Sequence, residues 1–113
     1  MTPSQFRKTA LAFPEAIEGS HQGHPDFRVA GKIFATLGYP DSSSAVVMLS
    51  PDDQTFFVRE FADVFSPVRG SWGKNGATLI NLAAARMPQV RDALEIAWSR
   101  RAPKRLLRDQ PRK

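Results

Sequence analysis

The chain has 113 residues, of which 42% are hydrophobic and 24% charged, the size and composition of one globular domain. It has no cysteine, which excludes a disulfide framework, a thiol nucleophile and zinc or iron–sulfur sites with cysteine ligands. Because we also see no leader peptide and no apolar run as long as a membrane span, we expect a cytoplasmic protein with no membrane partner.

The net charge of +5 is concentrated near the C-terminal end. Seven of the sixteen Lys and Arg residues lie between residues 100 and 113, where Asp109 is the only acidic residue. That segment has a net charge of +6, and the rest of the chain is close to neutral. We predict a single folded domain over residues 1–106 and a basic tail over residues 107–113.

The first predicted element is a helix that begins at a capping box, Thr2 to Gln5, and is ended by Pro14. In a capping box the first side chain binds a backbone N–H one turn into the helix, and the fourth side chain returns the bond. Phe6, Ala10 and Phe13 then share one helical face, which predicts that this face packs on a core.

Residues 17–21 are a candidate short strand, and a β-hairpin is predicted after them. Phe27 and Val29 alternate with charged neighbours, and the apolar residues of 33–37 repeat that period. Between them the pair Ala30-Gly31 predicts a two-residue turn, whose glycine is free to take a positive φ.

The second half of the chain predicts a strand over "AVVMLS", then a helix that is capped by Ser50 and runs to about Glu60. Residues 64–76 are interpreted as a short extended segment and a glycine-rich turn, followed by a strand over residues 78–82. The last helix begins near Pro88, has a poor cap and ends at Pro103. Its continuous apolar stripe consists of Val90, Ala93, Leu94, Ala97 and Trp98.

This order of elements predicts an α+β domain, because connections of hairpin length favour an antiparallel sheet. We expect five or six strands with N-terminal, middle and C-terminal helices packed on them.

Several segments of the chain resemble the MmcQ/YjbR family over about residues 6–106. They are "LAFPEAIEGS", "GHPDFRVAGKIFA", "FSPVRGSWGKNGATLINLA" and "AWSRRAPKRL".

The resemblance implies a compact fold of the secretion-chaperone-like type, with a frataxin-like shape. Members of the family are commonly described as DNA-binding proteins with two β "wings". The resemblance therefore implies DNA binding by this chain.

One cluster has the residue types that bind metals: Glu18, His21, His24 and Asp26. Two residues separate the histidines, as in a ligand pair, but the cluster leads into a strand, where neighbouring side chains point apart. We favour a structural role for residues 24–26, through hydrogen bonds from side chains to the backbone at the start of the hairpin, and expect no metal and no cofactor. Ser20, His21 and Asp26 lack the sequence context of a nucleophile, so we expect no enzyme.

Basic residues flank both predicted turns, and Lys and Arg neutralise phosphates. The predicted DNA-binding residues are Arg28 and Lys32, Arg69 and Lys74, and, near the C-terminus, Arg100, Arg101, Lys104 and Arg105. The alternative is that charges at strand edges keep the sheet soluble. Trp72 is interpreted as a packed anchor of the second turn, with an exposed stacking platform for a nucleobase as the alternative.

Three functional hypotheses remain. The first is a monomeric, non-enzymatic protein that binds DNA weakly and without sequence preference through backbone phosphates. The second is a protein-interaction module that resembles secretion chaperones and exposes an apolar patch. The third is a metal or small-ligand protein of frataxin-like shape, whose pocket would gather His24, Asp26 and Trp72.

Overall fold

The computed structural model describes residues 1–109, and its centre is a six-stranded sheet in which every neighbouring pair is antiparallel. The strands are β1 (Ile17–His21), β2 (His24–Val29), β3 (Lys32–Leu37), β4 (Ser44–Met48), β5 (Phe65–Pro67) and β6 (Ala77–Asn81). Their spatial order is β1-β2-β3-β4-β6-β5. The helices are α1 (Pro3–Leu11), α2 (Pro51–Glu60), α3 (Gly70–Lys74), α4 (Met87–Arg101) and α5 (Lys104–Asp109). The α+β prediction is confirmed.

The N-terminal capping box forms as its sequence predicts. The backbone N–H of Gln5 donates to Thr2 Oγ1 over 3.1 Å, and Gln5 Oε1 accepts from the Thr2 N–H over 2.8 Å. Phe6 and Ala10 are buried, and α1 ends before Pro14. The local signal suffices here because both partners lie within one turn of helix.

Helix α4 supplies the centre of the main core, and all five residues of its predicted stripe are buried. Trp98 is 2% exposed, stacks on Phe13 at a centroid distance of 6.0 Å, and donates its indole N–H to the Pro14 carbonyl over 3.0 Å. The helix begins one residue earlier than predicted. Its cap bond comes from Gln89, whose Oε1 accepts from the Arg86 N–H over 2.9 Å.

Two-residue turns join β1 to β2 and β2 to β3. Gln22 and Gly23 have φ of 51° and 79°, and Ala30 and Gly31 have φ of 52° and 79°. Positive φ at both central positions is the signature of a type I′ turn, which matches the twist of a hairpin. The predicted turn at Ala30-Gly31 is thus confirmed, and alanine carries strain that the sequence alone did not reveal.

Replacing Ala30 with asparagine should therefore raise the free energy of unfolding by about 0.5–1 kcal/mol, because asparagine tolerates positive φ and Asn-Gly suits this turn. Gly31→Val should lower it by about 1–2 kcal/mol. Urea midpoints of the variants test both changes. The control is Ala12→Asn, at an exposed position with φ of −75°. A gain of equal size at Ala12 would contradict the turn geometry.

The short extended segment predicted within residues 64–76 is confirmed as β5, but the glycine-rich turn predicted after it is wrong, because that part of the chain forms helix α3. Glycine disfavours helix, so the segment resembles a turn locally. Its glycines instead permit close contact, since a Cβ on Gly73 would overlap the Val68 carbonyl, and one on Gly76 would overlap the Leu49 carbonyl. Helix α3 can thus lie against the face of the sheet opposite the main core, which we call the second face. A small apolar cluster of Val46, Val68 and Ala77 lies beside it.

A buried amide holds α3 in place. Gln54 of α2 is 8% exposed, and its Nε2 donates to the carbonyls of Gly73 and Ala77, each over 2.9 Å. Each of these oxygens also accepts a backbone N–H, from Gly76 and from Val68, so Gln54 supplies a further donor that ties α2 to the end of α3 and the start of β6. Of the predicted basic tail, residues 107–109 belong to α5, and residues 110–113 lie outside the described residues.

Candidate nucleic-acid interface

A buried carboxylate organises the β1–β3 part of the second face. Asp26 is fully buried in β2, where its Oδ1 accepts from Arg28 Nε over 2.7 Å and its Oδ2 accepts from Arg28 Nη2 over 3.0 Å. His21 Nδ1 lies 2.8 Å from the same Oδ2. Gly19, the cross-strand neighbour of Asp26, leaves room for this pair, since a Cβ there would lie 3.0 Å from Oδ1.

The hydrogen bond from Arg28 is the main cause that holds the pKa of Asp26 below its ordinary value of 3.8, and it outweighs burial, which acts in the opposite direction. The ionised carboxylate only accepts, so His21 Nδ1 carries the proton of its bond. The sequence predicted that the Asp26 side chain binds the backbone at the start of the hairpin. That prediction is wrong, because its hydrogen bonds are with the side chains of Arg28 and His21. The charge of the Arg28 guanidinium is therefore compensated by Asp26.

Three rings, which we call the aromatic row, form a continuous series of contacts. The centroid of Tyr39 is 6.1 Å from that of His24 and 5.9 Å from that of Trp72. Tyr39 is 39% exposed and Trp72 37% exposed. The packed-anchor interpretation of Trp72 accounts for the contact with Tyr39 but not for this exposure, which fits a stacking surface better.

Strand register brings basic residues from three elements to one end of the sheet. Ala35 pairs with Val47 and Leu37 with Ala45, so β3 begins beside the end of β4. Met48 at that end pairs with Ala77, which follows α3, and accepts from Arg100 Nη1 of α4 over 2.9 Å. We call this region the cationic end of the sheet; its basic residues are Lys32, Lys74, Arg100 and Arg101.

The remaining predicted residues stand apart from this group in their pairing or position. Arg105 forms a two-point ion pair with Glu15, with both N–O distances 2.9 Å, and this hydrogen bonding lowers the pKa of Glu15. Arg69 precedes α3, and Lys104 begins α5 just after α4. The predicted set therefore divides into two engaged arginines, Arg28 and Arg105, and six basic residues at the β2–β3 turn, around α3 and near the end of α4.

Two carboxylates lie close to the cationic end. Helix α2 starts directly after β4, and Asp52 and Asp53 occupy its first turn, where a negative charge is favourable. Asp53 Oδ2 accepts from the Ser50 hydroxyl over 3.1 Å. The cationic end is therefore a local basic surface with acidic neighbours rather than a uniformly positive face.

A wide groove of about 1540 Å³ lies between α1, α2 and α4. Its walls include the aromatic side chains Phe13 and Phe61, which are half-buried, and Phe56, which is 47% exposed. Met87 is 37% exposed at the same groove. The groove supplies the exposed apolar surface expected of the protein-interaction hypothesis.

Among residues 1–109, no three or more His, Asp or Glu side chains form a group that could hold a metal ion. Nor does any helix in that part of the chain have the length and apolar character needed to cross a membrane. Tyr39 and Asn75 were not singled out from sequence, although Tyr39 is the only tyrosine. The ring contact of Tyr39 with Trp72 joins residues 33 positions apart, and Asn75 lies with Arg100 and Arg101 of α4 around a small cleft.

Comparison with curated proteins found no match for the chain. The YjbR family model matches residues 11–100, a span that includes all six strands, α2 and α3, and all but the last residue of α4. The match covers most of the chain, including the aromatic row and every basic residue of the cationic end except Arg101. The protein belongs to the YjbR family.

Proposed function

We propose that this protein binds nucleic acid through backbone phosphates, without catalysis, at the cationic end of the sheet. The observation that carries the proposal is the convergence of a hairpin turn, the end of α3 and the end of α4, each with basic residues, at one end of one sheet. Lys32, Lys74 and Arg100 are exposed there. Contacts of this type position a nucleic acid without reading its sequence.

Basic side chains at helix ends also have a structural explanation, because they favour the negative pole of the helix dipole. Arg59 offers a matched comparison, since it occupies the last turn of α2 and is exposed. Helix α2 starts at the cationic end, so its last turn points toward the opposite side of the molecule. If nucleic acid binds at the cationic end, removal of positive charge there should weaken binding, whereas removal of the Arg59 charge should not.

The test is the salt dependence of binding to a labelled oligonucleotide of about 20 bases, as a single strand and as a duplex, between about 50 and 200 mM salt. Each phosphate contact contributes about 0.7 to the slope of log K against log salt for a single strand and about 0.9 for a duplex. The double variant Lys32→Gln/Lys74→Gln should reduce the slope by up to about 2 units.

The control for that experiment is Lys8→Gln/Arg59→Gln, which removes the same charge elsewhere. An equal loss in the control would show that net charge alone is responsible and would reject the proposed interface. A chain ending at residue 106 tests the predicted tail: if only this truncation abolishes binding, the interaction belongs to the tail. No salt-dependent binding to either oligonucleotide would end the nucleic-acid proposal.

The protein-interaction hypothesis is the second candidate, and the groove between α1, α2 and α4 is its specific support. Exposed Phe56 and Met87 are large apolar side chains at a concave surface, as expected where a partner's amphipathic helix docks. This candidate takes first place if the oligonucleotide experiment fails.

A further inference from the structure

We propose that the preferred ligand is a single strand, with one phosphate in a small cleft between α3 and the end of α4 and the adjoining base on the aromatic row. This inference rests on the proposed function and names the ligand class at the same end of the molecule. The cleft is lined by Trp72 and Asn75 on one side and by Arg100 and Arg101 on the other.

The size of the cleft suits a small anion. Its volume is about 80 Å³, and because a water molecule takes up about 30 Å³ in the liquid, the space equals two or three waters. A phosphate group fits such a volume, whereas a nucleobase with its sugar does not. The base must therefore lie outside the cleft, on an adjoining surface.

The charged groups of the cleft are two guanidinium groups, which only donate. Arg100 uses one N–H on the Met48 carbonyl, and a guanidinium has five. The Nε of Arg101 is buried and has no hydrogen-bond partner among the described residues. A buried N–H without an acceptor is rare and unfavourable, and an anion in the cleft would bring acceptors to this arginine. No Asp or Glu of the described part of the chain lines the cleft.

Trp72 connects this anion site to the aromatic row. It lines the cleft and also contacts Tyr39, so the phosphate site and the stacking surface share one side chain. Both rings are more than a third exposed. In a duplex the base faces are covered by stacking on neighbouring bases, so only an unpaired base offers its face to such a surface, and stacking is tolerant of sequence.

The experiment compares three labelled probes of about 12 nucleotides: oligo-dT, a duplex of the same length, and an abasic oligomer that keeps the phosphates. We expect oligo-dT to bind at least about fivefold more tightly than the other two, since a stacked base contributes about 5- to 100-fold. Binding should also quench the emission of Trp72, while buried Trp98 supplies a constant background.

Variants separate the phosphate from the base. Tyr39→Ala, outside the cleft, should weaken oligo-dT binding about 5- to 100-fold and leave the abasic oligomer unchanged, whereas Trp72→Ala, which also removes a wall of the cleft, should weaken oligo-dT binding at least as much. Arg101→Gln should weaken both and reduce the single-strand salt slope by about 0.7. Phe56→Ala removes an exposed aromatic ring from the groove instead and should change neither.

Three outcomes would overturn the inference. Equal affinity for oligo-dT and duplex, with no loss in Trp72→Ala or Tyr39→Ala, would reject base stacking but leave phosphate binding at the cationic end intact. An abasic oligomer that binds as tightly as oligo-dT would reject it equally. Absence of binding to every probe would reject both the inference and the proposed function.

Discussion

Replacing Trp98 with alanine should lower the free energy of unfolding by about 3–5 kcal/mol, the range for truncation of a core aromatic side chain. Trp98 is 2% exposed, stacks on Phe13 and binds the Pro14 carbonyl, so its loss opens a cavity and leaves that oxygen without its indole donor. Urea unfolding followed by circular dichroism measures the change.

Two further variants separate the effects of apolar volume, the indole N–H and burial in the Trp98→Ala result. Trp98→Phe keeps much of the apolar volume but still removes the indole N–H, so it should cost less, about 1–3 kcal/mol. Trp72→Ala removes the same side chain from a position that is 37% exposed and should cost less than Trp98→Ala. An unchanged unfolding midpoint in Trp98→Ala would contradict the placement of α4 against the sheet.

The second large effect is expected at Asp26, where asparagine should lower the free energy of unfolding by about 2–3 kcal/mol at neutral pH. The substitution preserves shape but removes the charge that accepts two bonds from Arg28 and one from His21. Asp63→Asn, at an exposed carboxylate, is the matched control and should change stability by less than about 0.5 kcal/mol.

The pH dependence of this effect follows from the lowered pKa of Asp26. A carboxyl group whose pKa is lower in the folded state stabilises the fold fully above its ordinary value of 3.8, and the contribution is lost as the pH falls through the folded value. The difference between the native protein and Asp26→Asn should therefore be largest near neutral pH and shrink below about pH 4. A difference that stays constant to about pH 2 would contradict an ionised Asp26.

Other carboxylates contribute to acid sensitivity in both proteins, so the difference rather than either curve is informative. The pKa of Glu15 is lowered by its hydrogen bond with Arg105, and that of Asp41 by hydrogen bonds from Ser43 and Ser44. Both groups remain in Asp26→Asn. Their contributions cancel when the two unfolding curves are subtracted.

Features that depend on neighbours along the chain were predictable from the residues alone. Three such features are the capping box of α1, the turn at Ala30-Gly31 and the buried stripe of α4. Each depends on residues that are close together in the sequence. Side-chain period and turn chemistry therefore indicated the elements, and short connections indicated an antiparallel sheet. The concentration of basic residues near the C-terminus was likewise plain from composition.

Features that depend on distant partners required the folded chain. From sequence alone Gly73 resembles a turn residue, whereas in the fold a Cβ there would overlap the Val68 carbonyl. Likewise Arg28 resembles a free cation in the sequence, whereas in the fold it binds Asp26. Trp72 contacts Tyr39 and shares a cleft with Arg101 only because the fold brings α3 beside the loop after β3 and beside the end of α4. Periodicity shows which way a side chain faces but not what it meets there, so the local pattern predicted most elements and the basic residues of the candidate site but not the contacts of Arg28, Tyr39 and Trp72.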